Sequence, residues 1–240
     1  MIHCLLARGC RMGALLILLS AASVATAHAT LIEYSGITAS PGGTVSGAAL
    51  TAHNTFISAL GGAAVDDLES VTGAGSGANP FALSFTGSPG PVTGDLVANG
   101  SGTLRTSPTG GQFATSGSQY LFFQNGFTIT FSTPISSFGF YATDAGDGAA
   151  DLQMTLTGDE TTVLLLETAG DPNGALLFWG FIDDMNSYSS ITVLHTDQDG
   201  IGYDDFTIGA AFLTVPEPAT LGLFGLGIGG IAFAVRRRKR

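Results

Sequence analysis

The sequence predicts an all-β fold, a β-sandwich or jelly roll, and three observations carry that prediction. Short segments alternate apolar and polar residues with a period of two, as half-buried strands do; in FTITFS, Phe127, Ile129 and Phe131 alternate with Thr128 and Thr130. Such segments recur at roughly ten-residue spacing, punctuated by Gly, Asp, Pro and Asn. Charged residues make up only 11% of the 240-residue chain while Gly reaches 35, a balance that suits turn-rich β structure. No helix-period segments separate the strands, which disfavours a βαβ fold.

Element by element, residues 1–29 read as a cleavable signal peptide. Arg8 and Arg11 give a positive start, residues 13–19 a short apolar run, and Ala25-Thr26-Ala27 or Ala27-His28-Ala29 a small-residue cleavage box. An uncleaved anchor helix is the alternative; the brevity of the apolar run favours cleavage. Both cysteines, Cys4 and Cys10, lie in this segment, so the mature form would have no disulfide, thiolate metal site or thiol nucleophile.

Residues 30–62 are loosely patterned, with a short helix expected over 54–60: Asn54 as N-cap, Phe56, Ile57 and Leu60 as its apolar face, Gly61 as its stop. Residues 63–214 are read as the β-sandwich. VDDLE at 65–69 precedes a stretch rich in Gly, Ser, Pro and Thr that holds the strand FALSF at 81–85. From Tyr120 onward come FTITFS, SSFGFYATD, DLQMTLTG, TTVLLLET, ALLFWGFID, SSITVLHTD and GYDDFTIG.

Charge narrows the function classes. Between Arg11 and the C-terminal cluster Arg236, Arg237, Arg238, Lys239 and Arg240 the only basic side chain is Arg105, set against 19 Asp and Glu. A body this acidic repels phosphate backbones, which excludes nucleic acid and points to cations or neutral polymers.

Residues 215–240 break the pattern. Val215-Pro216-Glu217-Pro218 can continue neither strand nor helix. The chain is then uncharged from Ala219 to Val235, about 25 Å as a helix, the low edge for a bilayer span. The basic cluster behind it places the C-terminus in the cytoplasm and the bulk of the chain outside.

Pro216-Glu217-Pro218, the Gly-rich apolar segment and the basic cluster together resemble the PEP-CTERM protein-sorting signal, also catalogued as the ice-binding-protein C-terminal domain. The resemblance implies export through the inner membrane of a Gram-negative bacterium and recognition by an exosortase. Cleavage near Pro216-Glu217-Pro218 would then deliver the protein to the cell surface or exopolysaccharide matrix. The body also resembles, at VDDLE, Phe138-Gly139-Phe140, Phe178-Trp179-Gly180-Phe181 and Gly202-Tyr203-Asp204-Asp205-Phe206, the β-sandwich ectodomains that precede such tails and look like carbohydrate-binding-module jelly rolls.

Three candidate chemistries follow. Asp197, Asp199, Asp204 and Asp205 crowd one strand entrance, and Ca²⁺ favours such oxygen-rich loops, though no glutamate stands at the EF-hand's twelfth position. By resemblance, Glu69 with Asp204 or Asp205 would hold a structural calcium. The competing reading, which the pattern favours, has Asp197, Asp199 and Asp204 capping turns and Asp205 binding backbone amides. Asp144 and Asp147 form a second such loop.

A sugar-binding face would use Trp179, Tyr141, Tyr188 or Tyr203; in ALLFWGFID, however, both strand faces are apolar, which makes Trp179 a core residue. A Ser-His-Asp triad would need His53 or His195, and no G-x-S-x-G elbow or His-based zinc ligand set accompanies them. Carboxylate pairs leave a glycoside hydrolase open. Gly225, Gly227 and Gly230 satisfy G-x-G-x-x-G, yet no strand precedes them and no βαβ unit surrounds them, so no dinucleotide site follows.

The sequence therefore reads as an exported, exosortase-processed surface or matrix protein, non-catalytic, with glycan binding and calcium stabilisation as expectations. A carbohydrate-active hydrolase is the alternative. Ice or surface adsorption through strands such as Thr128-Ile129-Thr130 is a further one; it would need a repeated Thr-x-Thr array, and the chain has no internal repeat.

Overall fold

The computed structural model describes residues 31–39, 42–71, 80–87, 90–147, 151–168, 170–195 and 200–211. All fall within one compact unit. The expected signal peptide and the sorting tail lie outside the described residues.

The chain runs β1 (Leu31–Thr38), α1 (Gly47–Ala59), β2 (Leu60–Asp66), β3 (Phe81–Phe85), β4 (Val92–Ala98), β5 (Gly102–Arg105) and β6 (Tyr120–Phe123). It continues through β7 (Phe127–Ile135), β8 (Ser137–Thr143), β9 (Leu152–Gly158) and β10 (Thr161–Leu166). β11 (Leu176–Asp183), β12 (Tyr188–Leu194) and β13 (Ile201–Ala211) complete it. Seven strands form one sheet in the order β1-β11-β8-β13-β6-β5, with β2 also on β13; six form the other, β10-β9-β12-β7-β4-β3. All pairings are antiparallel. The all-β sandwich read from the sequence is the observed architecture.

The period-two pattern explains the core between the sheets. Phe127, Ile129 and Phe131 of β7 and Leu152, Met154 and Leu156 of β9 point inward against Phe138, Phe140, Trp179 and Phe181 of the larger sheet. Burying such aromatics supplies most of the folding drive, and their rings meet edge-on or tilted.

A second core lies on the far side of the larger sheet. There α1 covers Tyr141, Leu176, Phe178 and Ile182 with Ala49 and Phe56. β8 and β11 are therefore buried on both faces, as the doubly apolar ALLFWGFID implied.

The segment 30–62 is more ordered than its composition suggests. It supplies β1, which pairs with β11 along its whole length, and a helix of 13 residues that begins well before Asn54. The cap comes from a distance. Ser46 makes no side-chain cap bond; instead Thr38 Oγ1, at the end of β1, accepts from Ala49 N at 3.2 Å and donates to Ser46 O at 2.8 Å. A cap eleven residues upstream leaves no local signature, which is why the sequence placed the helix start at Asn54. The stop falls at Leu60, where the chain passes directly into β2.

Glycines set the approach of α1. Gly139 and Gly180 stand opposite each other on β8 and β11. A Cβ on Gly139 would come within 2.9 Å of the Phe178 ring and 3.2 Å of the Phe56 ring.

Candidate functional site

β13 changes partner along one edge. Ile201–Tyr203 pair with β6, Phe206–Ala211 with β2, and the register against β8 shifts between Asp204 and Thr207. Asp204 and Asp205 stand in the gap, with Asp205 at φ 51. A left-handed conformation is tolerated by Asp better than by most residues.

The loop 113–119 closes that gap. Asp204 is 1% exposed and accepts from Thr115 N at 2.7 Å, Ser116 N at 3.2 Å and Thr115 Oγ1 at 3.1 Å. Asp205 accepts from Thr115 Oγ1 at 2.8 Å and from Ser116 Oγ. Glu69, on the turn after β2, holds the end of the same loop by accepting from Ser118 N at 2.7 Å and Gln119 N at 2.8 Å. The three carboxylates thus meet one loop, and their oxygens are taken by its amides and hydroxyls. The amide-binding role expected of Asp205 belongs to Asp204.

Electrostatics separates them. Burial, reinforced by Asp205, pushes the Asp204 carboxyl up to about 8. The Ser118 amide leads a set of donors that holds Glu69 below its ordinary value. Among the described residues no three His, Cys, Asp or Glu side chains converge as a metal-binding group. Asp197 and Asp199 lie outside the described residues.

Beside this loop, Asp66, Asp67, Asp205, Ser70, Ser84 and Ser116 border an open cavity of ≈ 550 Å³. Asp66 is 3% exposed and its carboxylate caps the Leu68 and Ser84 amides. Asp144, in the second acidic loop, is buried and accepts from Gly174 N at 2.7 Å and from Gln112 Nε2, a turn-forming role.

The aromatic platform is not at the surface. Trp179, Tyr188 and Tyr203 are at most 1% exposed and Tyr141 2%. His53 packs between Tyr141 and Phe178, with centroids 5.1 Å from each, and burial lowers its pKa.

Across β7, β12 and β9 the smaller sheet presents mainly hydroxyl groups outward, flanked by the exposed Val97 of β4 and Val163 and Leu165 of β10. Its register sets Thr130 beside Ser190 and Ser190 beside Thr157, which in turn faces Thr161. A second row runs Thr128, Thr192, Thr155. Thr128 Oγ1 and Thr192 Oγ1 are 3.0 Å apart. Four strands of unlike sequence therefore assemble rows that were expected to need an internal repeat. The reason is that side-chain period and strand register, not sequence identity, decide which residues share a face. The sheet's natural twist turns each row through roughly 20° per strand, so the rows are not flat. Of the residues on this face in β4, β7, β9 and β12, only Asp95 is charged. The helix α1 packs on the other sheet.

Among the described residues no helix is long and apolar enough to cross a membrane; the expected spanning segment lies outside them.

Comparison with known proteins locates one motif and, among solved structures, partial likenesses. Residues 214–239 match the PEP-CTERM protein-sorting motif. No curated protein matches the chain. Among solved structures, TmCBM61 in complex with beta-1,4-galactotriose is 13% identical, covering 51% of this chain and 89% of its own, with a TM-score of 0.29. The C-terminal family 22 carbohydrate binding module of Clostridium thermocellum Xyn10B is also 13% identical, covering 63% of this chain and 94% of its own, with a TM-score of 0.32.

Proposed function

We propose that this chain is an exported surface or matrix protein, processed by an exosortase at its C-terminus, whose non-catalytic sandwich adheres to neutral exopolysaccharide. The observation that carries the reading is the sorting motif at residues 214–239. Pro216-Glu217-Pro218 would be the recognition element. The uncharged segment behind it would be held in the inner membrane of a Gram-negative cell, with Arg236, Arg237, Arg238, Lys239 and Arg240 on the cytoplasmic side. Mass spectrometry of the protein recovered outside the cell tests this. A C-terminus near Pro216-Glu217-Pro218 is expected, and one still ending in Arg240 overturns it.

Adhesion is assigned to the outer face of the smaller sheet. Its hydroxyls offer donors and acceptors without charge, which suits a neutral hydroxylated polymer. The same rows keep ice adsorption as a minor alternative, and inhibition of ice recrystallisation by the released protein would favour it.

Calcium stabilisation is part of the proposal at the acidic end of β13. There Asp205, whose loop partners are the Thr115 and Ser116 hydroxyls, would join Asp197 and Asp199, since backbone amides engage Glu69 and Asp204. Equal melting temperatures with calcium and with chelator would remove the ion from the account.

The second reading, a carbohydrate-active hydrolase, draws on the cavity beside Asp66, Asp67 and Asp205. Release of reducing ends from neutral polysaccharides, lost in Asp205→Asn, would support it over adhesion.

A further inference from the structure

We propose that β10 is a self-pairing edge through which two copies of this chain join their smaller sheets into one continuous antiparallel sheet. The proposal is independent of the sorting and adhesion reading.

Free sheet edges invite pairing, and monomers blunt them with charge, proline, bulges, short length or a covering element. The other edges among the described strands carry such devices, and β2, joined only to β13, ends in the charged Asp66. On β3 the Ser84 N–H is taken by the Asp66 carboxylate. β1 carries Glu33 and packs against α1. β5 has 4 residues and includes Arg105.

Among the described residues β10 carries none of them and pairs with β9 alone, in unbroken register, from Thr161↔Thr157 to Leu166↔Leu152. Its sequence TTVLLL has no charge, proline or glycine. Val163 is 50% exposed and Leu165 69%, side by side on the outer face. Short uncharged runs of high β-propensity are those that pair between chains.

Chemistry selects the occupant and the register. In a two-fold antiparallel pair, residues directly opposite share a face. The outer residues Thr161, Val163 and Leu165 must therefore meet outer residues of the second copy. With Leu164 on the two-fold axis, Val163 of each copy faces Leu165 of the other, and Leu164 faces Leu164. Glu160 then faces Thr168 and Glu167 faces Thr161, so no carboxylate opposes another. Moving the axis to Val163 places Leu165 against Thr161. Moving it to Leu165 places Val163 against Glu167. Only the Leu164 register gives both exposed apolar residues an apolar partner without opposing like charges.

The test is disulfide trapping on the full chain purified in detergent, which needs neither surface display nor tail processing. Leu164→Cys brings its two thiols together across the axis, whereas Thr162→Cys sets them about 13 Å apart along the strands, beyond disulfide reach. A non-reducing gel should show a dimer for Leu164→Cys and the parent's pattern for Thr162→Cys. Adding Leu165→Lys to Leu164→Cys restores an edge charge at an exposed position and should reduce the trapped dimer at least tenfold, with Trp179 fluorescence unchanged as the check on folding. Raising salt should increase trapping, because it screens the acidic bodies from each other. No dimer for Leu164→Cys, equal trapping at both positions, or trapping indifferent to Leu165→Lys each overturns the proposal.

Discussion

The indole Nε1–H of Trp179 donates to the Glu33 carboxylate at 2.5 Å, tying β11 to the edge strand β1 across 146 positions of sequence. Trp179 is the sole tryptophan and is 0% exposed, so its fluorescence reports this junction. Glu33→Ala removes the acceptor of the indole N–H. The expected cost is about 1 kcal/mol, since water can reach the exposed Glu33 position and replace part of the bond. Glu33→Gln keeps an acceptor and should lie near the parent. Urea titrations followed at Trp179 check both, with a red-shifted native emission expected for the alanine variant alone.

The facing glycines of β8 and β11 give a second prediction. Gly139→Ala would drive a methyl group into the Phe178 and Phe56 rings, lifting α1 from the sheet. Overpacking of this kind costs about 1–3 kcal/mol. Pairing Gly139→Ala with Phe56→Leu makes room for the methyl group and should recover part of that loss. A double-mutant cycle in thermal melting measures the coupling; strictly additive effects would remove Phe56 from the explanation.

Acidity at β13 fixes a pH dependence. The Asp204 carboxyl titrates at about 8 in the fold against about 3.9 when unfolded, because burial and Asp205 disfavour its charge. Between those values the folded state holds a proton that the unfolded state has lost. This contribution is complete below about pH 4 and declines as pH rises to about 8. Glu69 and Asp183 act in the opposite sense, because their folded values are lowered and their contribution is lost as pH falls below the ordinary carboxylate range. Asp205→Asn removes the neighbouring charge and tolerates the left-handed backbone. It should leave stability at pH 5 nearly unchanged and raise it at pH 8. Each unit by which it lowers the Asp204 value is worth about 1.4 kcal/mol there. Urea midpoints at the two pH values decide the matter; an equal shift at both would place the effect in backbone strain instead.

These same residues show what a sequence discloses. Strands β7 to β13 were legible because their alternation reports a face buried against a second layer, and Trp179 was legible as core because ALLFWGFID is apolar on both faces. The start of α1 was not, since its cap, Thr38, lies on another element. The roles of Asp204 and Asp205 were half-legible. Crowded aspartates signal a turn or an ion, but which oxygen meets which amide depends on the partner switch along β13 and on a loop some 90 positions away. The hydroxyl rows were hidden for the same reason: they exist only in the register between strands. The unguarded edge of β10 likewise emerges only once β9 is known to be its one partner among the described residues.

The hydroxyl rows supply the last prediction. Thr128 and Thr192 are cross-strand neighbours on the outer face, 3.0 Å apart at Oγ1. Thr128 is also bonded to Asn99 Oδ1 at 3.1 Å. Replacing both by Val keeps β-branched shape and strand propensity while deleting two hydroxyls from the middle of the face. Because both threonines are half-buried at the surface, stability should change by no more than about 0.5 kcal/mol. Retention on the organism's own exopolysaccharide, measured by co-sedimentation, should fall several-fold. Trp179→Phe, a change confined to the core, is the control and should leave retention intact. If Thr128→Val with Thr192→Val sediments like the parent while remaining folded, adhesion does not use this face.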